Sequence, residues 1–235
     1  MALPPDNQLL ACLPVRDLSE LAAHFRVVEL RTGSVLARPR DKIRTVYFPL
    51  SGIVSFVALT GSAGGIQTAI VGKDGVVGAT QALDDRISLN GINVQVGGSA
   101  ITIDRDPLRE AIRNGNAIQQ VFAAYEEFFV SDAQQTAACN AVHHVDARMA
   151  RWLLRMTKLA GDDLLLTQSE LAEMLGVRRP SVSVEANRLQ SAGAISYVRG
   201  RIHIENRKIL TGFACECHDI AEENYKAVFE AMAGK

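Results

Sequence analysis

Residues 167–204, TQSELAEMLGVRRPSVSVEANRLQSAGAISYVRGRIHI, restrict the possible folds of this chain more than any other stretch. Thr167 and Glu170 have the S/T-x-x-E spacing of a capping box, which satisfies two orphan amides at a helix start. Leu171, Met174 and Leu175 give that helix one apolar side. Gly176 ends it, because glycine takes a left-handed conformation at no steric cost. A second helix follows, with Pro180 in its first turn, where a missing amide hydrogen is harmless. Val182, Ala186 and Leu189 fall on its inner face, leaving Arg178, Arg179, Ser181, Ser183, Asn187 and Arg188 outward. Gly193 stops the second helix, Ala194 to Val198 reads as a strand, Arg199-Gly200 as a turn, and Ile202 and Ile204 as a second strand. Two amphipathic helices around a glycine also occur in all-α cores. The wing argues for a winged helix-turn-helix instead, with the second helix for the major groove and Arg199 and Arg201 for phosphates.

The segment resembles the C-terminal DNA-binding domain of the CRP/FNR family of bacterial transcription regulators. That family's pattern is met by Leu171-Ala172, Leu175-Gly176-Val177, Arg179-Pro180-Ser181-Val182, Gly193-Ala194-Ile195 and Arg199-Gly200-Arg201-Ile202. The resemblance implies that Arg179 reads guanine and that Ser181 lies near the backbone. It also implies that the helix start at Thr167, Gln168 and Ser169 meets phosphate. Pro180 and Val184 stand where the family's best-known member has a glutamate and a second arginine, so its familiar half-site is not implied. A homodimer on palindromic double-stranded DNA follows from the resemblance, as does RNA polymerase as a partner.

Charge is distributed accordingly. The 235-residue chain has a formal net charge of −1, yet residues 146–210 hold eleven Lys/Arg against seven Asp/Glu, and residues 1–145 hold twelve against fourteen. No apolar run approaches the ~18 residues of a membrane helix. The opening MALPPDNQLL lacks a charged region followed by an apolar core, so no signal peptide is expected and the expected location is cytoplasmic.

The N-terminal part reads as β. Val46 and Phe48, Ile53 to Leu59, Ile66 to Val71, Ile92 to Val96 and Ile101 to Ile103 are short runs separated by glycines, among them Gly52, Gly61, Gly72 and Gly91. Behind a helical lead-in at Asp17 to Phe25, they suggest a sandwich or jelly roll. This part is similar to the family's cyclic-nucleotide-binding β-roll, with Tyr47-Phe48, Ser51-Gly52 and Gly75-Val76-Val77-Gly78 as landmarks. The resemblance places an effector pocket at Gly75, Val76, Gly78 and Arg86. Val76 stands where the family has the ribose-binding glutamate, and Ile87 where a hydroxyl follows the arginine, so no cyclic nucleotide or other cofactor is expected. The effector is unknown or absent.

Gly115 to Val145 has a helical pattern, with Ile118, Val121, Phe122, Tyr125, Phe128 and Phe129 as a broad apolar stripe. It fits the family's dimerisation helix, and equally a helix buried on its own roll. Asp146 reads as the N-cap of the next helix, Ala147 to Leu159. The expected fold class is therefore α+β, in three parts. These are a β-roll over residues 1–114, a long dimerisation helix over 115–145, and a winged helix-turn-helix domain with a C-terminal helix over 146–235.

Cys12 alone cannot supply an iron–sulfur cluster. Cys215, Cys217 and His218 form a dense C-x-C-H set, the basis of an alternative reading as a thiol- or metal-responsive regulator. Two cysteines one residue apart diverge on a helix, so packing is the expected role, and no metal site is expected. His143-His144 reads as helix surface and interface. A jelly-roll metalloenzyme needs histidines on its strands, and His24, His143, His144, His203 and His218 all lie outside the β region, so no enzyme is expected.

Overall fold

Alternation between Arg26 and Asp104 becomes seven strands in a computed structural model that describes residues 6–60, 64–80 and 86–233. The turn expected at Gly61 and residues 1–5 of the opening segment lie outside these. The strands are β1 (Arg26–Leu30), β2 (Val35–Ala37), β3 (Thr45–Pro49), β4 (Ile53–Thr60), β5 (Gly64–Val71), β6 (Gly91–Val96) and β7 (Gly98–Asp104). One sheet has the order β1-β7-β3 and a second β2-β6-β4-β5, the expected β-roll. Val46 pairs with Ile103 and Phe48 with Ile101, and all four side chains are buried. Period two thus puts the apolar set on one face.

Helices frame the roll where the sequence shows little amphipathic signal. α1 (Gln8–Ala11) is capped by buried Asn7, which accepts from Leu10 N at 3.0 Å. Asn7 also donates to the carbonyls of Pro49 and Gly75, each at 2.9 Å. α2 (Val15–Ala22) replaces the lead-in expected at Asp17 to Phe25, because Pro14 stands at its N-cap and the chain is extended again by Arg26. α3 (Arg105–Asn114) has no counterpart in the sequence expectation, since only Leu108 and Ile112 of its ten residues are buried.

The long helix is α4 (Asn116–Val142), followed by α5 (Val145–Ala160). The N-cap expected at Asp146 is His144 instead. Asp146 sits in the first turn, where its carboxylate accepts from Arg188 Nη1 at 2.6 Å. Further elements are β8 (Asp163–Leu165), α6 (Gln168–Leu175), α7 (Arg179–Ser191), β9 (Ile195–Val198), β10 (Arg201–Ile204), α8 (Arg207–Phe213) and α9 (Cys217–Ala233). No helix among the described residues is long and apolar enough to cross a membrane.

The chain divides into two compact units that do not follow chain order. One comprises residues 1–56, 70–131 and 224–235, the other 57–69 and 132–223. In the first, the aromatic stripe of α4 is buried. Phe122 meets Phe48 edge-on at 6.3 Å, and Phe129 meets Phe56 at 5.0 Å. Phe128 packs edge-on against Tyr225 and Phe229 of α9, which stack at 4.4 Å. Phe128→Ala should therefore lower the unfolding free energy by about 3–5 kcal/mol, measured by chemical denaturation.

Candidate nucleic-acid interface

In the second unit, the helix-turn-helix forms for the local reasons its residues supply. Thr167 Oγ1 accepts from Glu170 N at 3.2 Å, while Thr167 N donates to Glu170 Oε2 at 2.6 Å, completing the capping box of α6. Gly176 ends α6 at φ 61°, in the left-handed region. Arg178 is the N-cap of α7 and Pro180 lies in its first turn. Val182, Ala186 and Leu189 are fully or almost fully buried, which fixes the rotation of α7 and turns Arg178, Arg179, Ser181 and Asn187 outward.

The wing is a three-stranded antiparallel sheet of order β8-β10-β9. Ile202 and Ile204 anchor β10, and Arg199 and Gly200 form the β9–β10 turn at φ 50° and 79°. Two successive positive φ values suit a tight hairpin whose twist matches its strands. Arg199 holds this conformation without being glycine, a conformation uncommon for residues with a Cβ. β8 goes beyond the two-stranded wing expected from the sequence, because three residues with one buried leucine leave no periodic trace.

Helix start, recognition helix and wing converge on one cleft of about 500 Å³, lined by Thr167, Gln168, Ser169, Arg179, Tyr197, Arg199 and Gly200. Five expected contact residues thus share a concave surface. It combines the amides at the start of α6 with two guanidinium groups, a combination that favours a phosphate. Tyr197 is missed by the sequence reading, in which it is simply one residue of a strand. Its hydroxyl donates to the Leu166 carbonyl at 2.9 Å and braces wing against helix start.

Other expected residues are placed differently. Arg201 is exposed on β10, away from this lining. Ser183 is half-buried and donates to Gln168 Oε1 at 2.7 Å, so it links the two helices. Arg188 is held by Asp146 at 2.6 Å and lies over the Phe213 ring at 5.4 Å, so its charge is already paired.

The expected effector site lies in the first unit. Tyr125 lies directly on Gly75, where an added Cβ would collide with its ring. Among the described residues, the space between Val76, Gly78 and the α4 residues Phe122, Tyr125 and Phe129 is about 40 Å³, and a second cavity on the other side of Gly78, lined also by Tyr47, Val77 and Ile92, is about 180 Å³. Both are below the roughly 300 Å³ at which small-molecule sites begin. Arg86 is exposed and is not part of that lining.

The cysteine reading needs correction. Cys215 and Cys217 are joined not by His218 but by Cys139 and His143, with all four donor atoms within 4.8 Å of one another. His143 therefore belongs to a cluster rather than to a bare helix surface. Burial pushes the Cys139 thiol up to about 12, with its hydrogen bond to Cys215 adding to the shift. Burial also lowers the His218 pKa.

These features define a DNA-binding domain of the winged helix-turn-helix class, carried in a chain with an N-terminal β-roll. Residues 147–213 match the family model of the Crp-like helix-turn-helix domain. The winged domain is therefore a Crp-like helix-turn-helix domain, and the chain as a whole has the fold of CRP/FNR regulators. FixK2 from Bradyrhizobium japonicum superposes with a TM-score of 0.69 at 17% identity, over 81% of this chain and 98% of that one. The c-di-GMP-responsive global regulator CLP of Xanthomonas campestris gives 0.67 at 17%, over 82% and 100%. A CRP-family transcriptional regulator from Thermus thermophilus gives 0.66 at 17%, over 81% and 99%. No curated protein sequence matches the chain.

The capping box is the local device that holds the start of α6. Thr167→Ala should cost about 1 kcal/mol of stability, read as a lower denaturation midpoint, with Thr167→Ser restoring it.

Proposed function

We propose that the protein is a transcription regulator that binds palindromic duplex DNA as a homodimer, and not an enzyme. The observation that carries this reading is the convergence of Thr167, Gln168, Ser169, Arg179 and Arg199 on one concave face, beside a recognition helix whose outer side is polar and basic. Arg179 reads a base, donating both its nitrogens to guanine O6 and N7. Arg178, Ser181, Arg199 and Arg201 hold the backbone and set register. RNA polymerase is the partner that a regulator of this fold addresses, in the cytoplasm.

Dimerisation is supported by α4. Ala123, Glu127, Val130, Gln134, Ala137 and Ala141 are all exposed and recur at alternating spacings of four and three. That is the spacing of a seam between two helices. Three of the six are alanine, which permits close approach, whereas the aromatics of the same helix are occupied within the chain. A two-fold dimer would set two recognition helices about 34 Å apart, one duplex turn. The roll is read as binding no cyclic nucleotide, because Val76 stands where the ribose-binding glutamate would be and Ile87 where a hydroxyl would follow Arg86.

Selection on a random duplex library tests the reading. Wild type should enrich a two-fold symmetric motif. Arg179→Ala should relax one position per half-site by roughly 1–3 kcal/mol. Arg201→Ala should weaken all sequences alike and reduce the slope of log K against log salt by about 1. Equal loss of specificity in both variants would overturn the division of roles. Val130→Glu places like charges across the seam and should raise the dimer dissociation constant at least about tenfold, measured by analytical ultracentrifugation.

A further inference from the structure

The end of α4 and the start of α9 bring together four soft donors that the DNA-binding reading does not use. His143 follows the last residue of α4 and its N–H still donates to the Cys139 carbonyl at 3.0 Å, so the chain carries on for one more turn and brings the two side chains together. Cys215 lies before α9 begins and Cys217 is its first residue, so the pair straddles a turn instead of diverging along a helix. That removes the geometric objection to a C-x-C pair. Cys139 and Cys217 are almost wholly buried, Cys215 nearly so, and the His143 side chain is 19% exposed.

We propose that Cys139, His143, Cys215 and Cys217 form a tetrahedral site for one divalent zinc-type cation. Two of the six edges are already close to the required length, and all four donor atoms lie within 4.8 Å of one another. A tetrahedron with metal–sulfur bonds of about 2.3 Å and metal–nitrogen bonds of about 2.0–2.1 Å has sulfur–sulfur edges near 3.8 Å and sulfur–nitrogen edges near 3.6 Å. Cys139 Sγ lies 3.5 Å from Cys215 Sγ, and Cys217 Sγ lies 3.6 Å from His143 Nδ1. Four protein donors and no open position make a structural rather than a catalytic site.

The surrounding groups complete the arrangement. His143 Nε2 lies 3.1 Å from Glu216 Oε1, so the ring donates there and leaves Nδ1 as the free lone pair. A carboxylate on the far nitrogen of a metal-bound imidazole fixes its tautomer and raises its basicity. Gln135 Nε2 donates to Cys217 Sγ at 3.0 Å, a bond that stabilises a thiolate. Three thiolates around a divalent cation leave one negative charge, and buried Arg148 and Arg151 lie near enough to act on the cysteines electrostatically. Arg148 also donates to the Leu175 carbonyl at the end of α6, so one side chain connects the site to the helix-turn-helix.

The test uses the full-length protein. Reduced and stripped with chelator, it is titrated with Co²⁺ and then with Zn²⁺, and the protein purified without chelator is analysed for metal. The expected result is one equivalent of Co²⁺, with the strong visible absorption of a tetrahedral thiolate site, bleached by Zn²⁺. His143→Ala and Cys217→Ser should each lose that spectrum. Glu216→Gln should keep it with affinity lowered about 10–100-fold, a change at an exposed residue that leaves folding intact. Three results would each overturn the proposal. These are no tetrahedral Co²⁺ spectrum in wild type, a spectrum unchanged in His143→Ala and Cys217→Ser, and a Cys139–Cys215 disulfide in freshly purified protein that holds no metal.

Discussion

The missing side chain at Gly75 lets the Tyr125 ring lie on the backbone of the roll, and the first unit is organised around that approach. Because Tyr125 reaches the turn, Phe122 and Phe129 are brought to Phe48 and Phe56, and Phe128 is left to receive Tyr225 and Phe229. Aromatic pairs at these distances add about 0.5–1.5 kcal/mol each beyond their area. The rings that seat the helix leave about 40 Å³ beside Val76 and Gly78.

The winged domain solves a different problem, that of holding charges apart until a polyanion arrives. Arg188 is neutralised internally by Asp146, while Arg179 and Arg199 line an open cleft. Ser183 and Gln168 bond to each other and tie the two helices together, and Tyr197 ties the wing to them. The strained φ of Arg199 is offset by the β10 anchors, a way of presenting a guanidinium from a two-residue turn.

The parts legible in the sequence are those with local causes. The capping box at Thr167, the left-handed Gly176 and the early Pro180 each act within one turn, so the helix-turn-helix can be read from adjacent residues. The β-roll shows through its alternation. What escapes is set by tertiary partners. Asp146 has the chemistry of an N-cap, but Arg188 claims it, and that pairing spans 42 positions. Cys139 and Cys215 are separated by 76 residues, so neither spacing rule nor motif connects them. α3 buries two residues in ten and β8 one in three, too little to leave a period.

The division into units has a consequence for dissecting the molecule. Both α4 and α9 are cut by the boundary, which falls after Ser131 and again after Glu223. Two continuous helices are therefore each shared between the units. A fragment beginning at Asp146 would lack Cys139 and His143, and one ending at Val145 would lack Tyr225 and Phe229. Neither half can be excised along the chain without taking part of the other's core. Gain or loss of one half by simple gene fusion would be correspondingly costly.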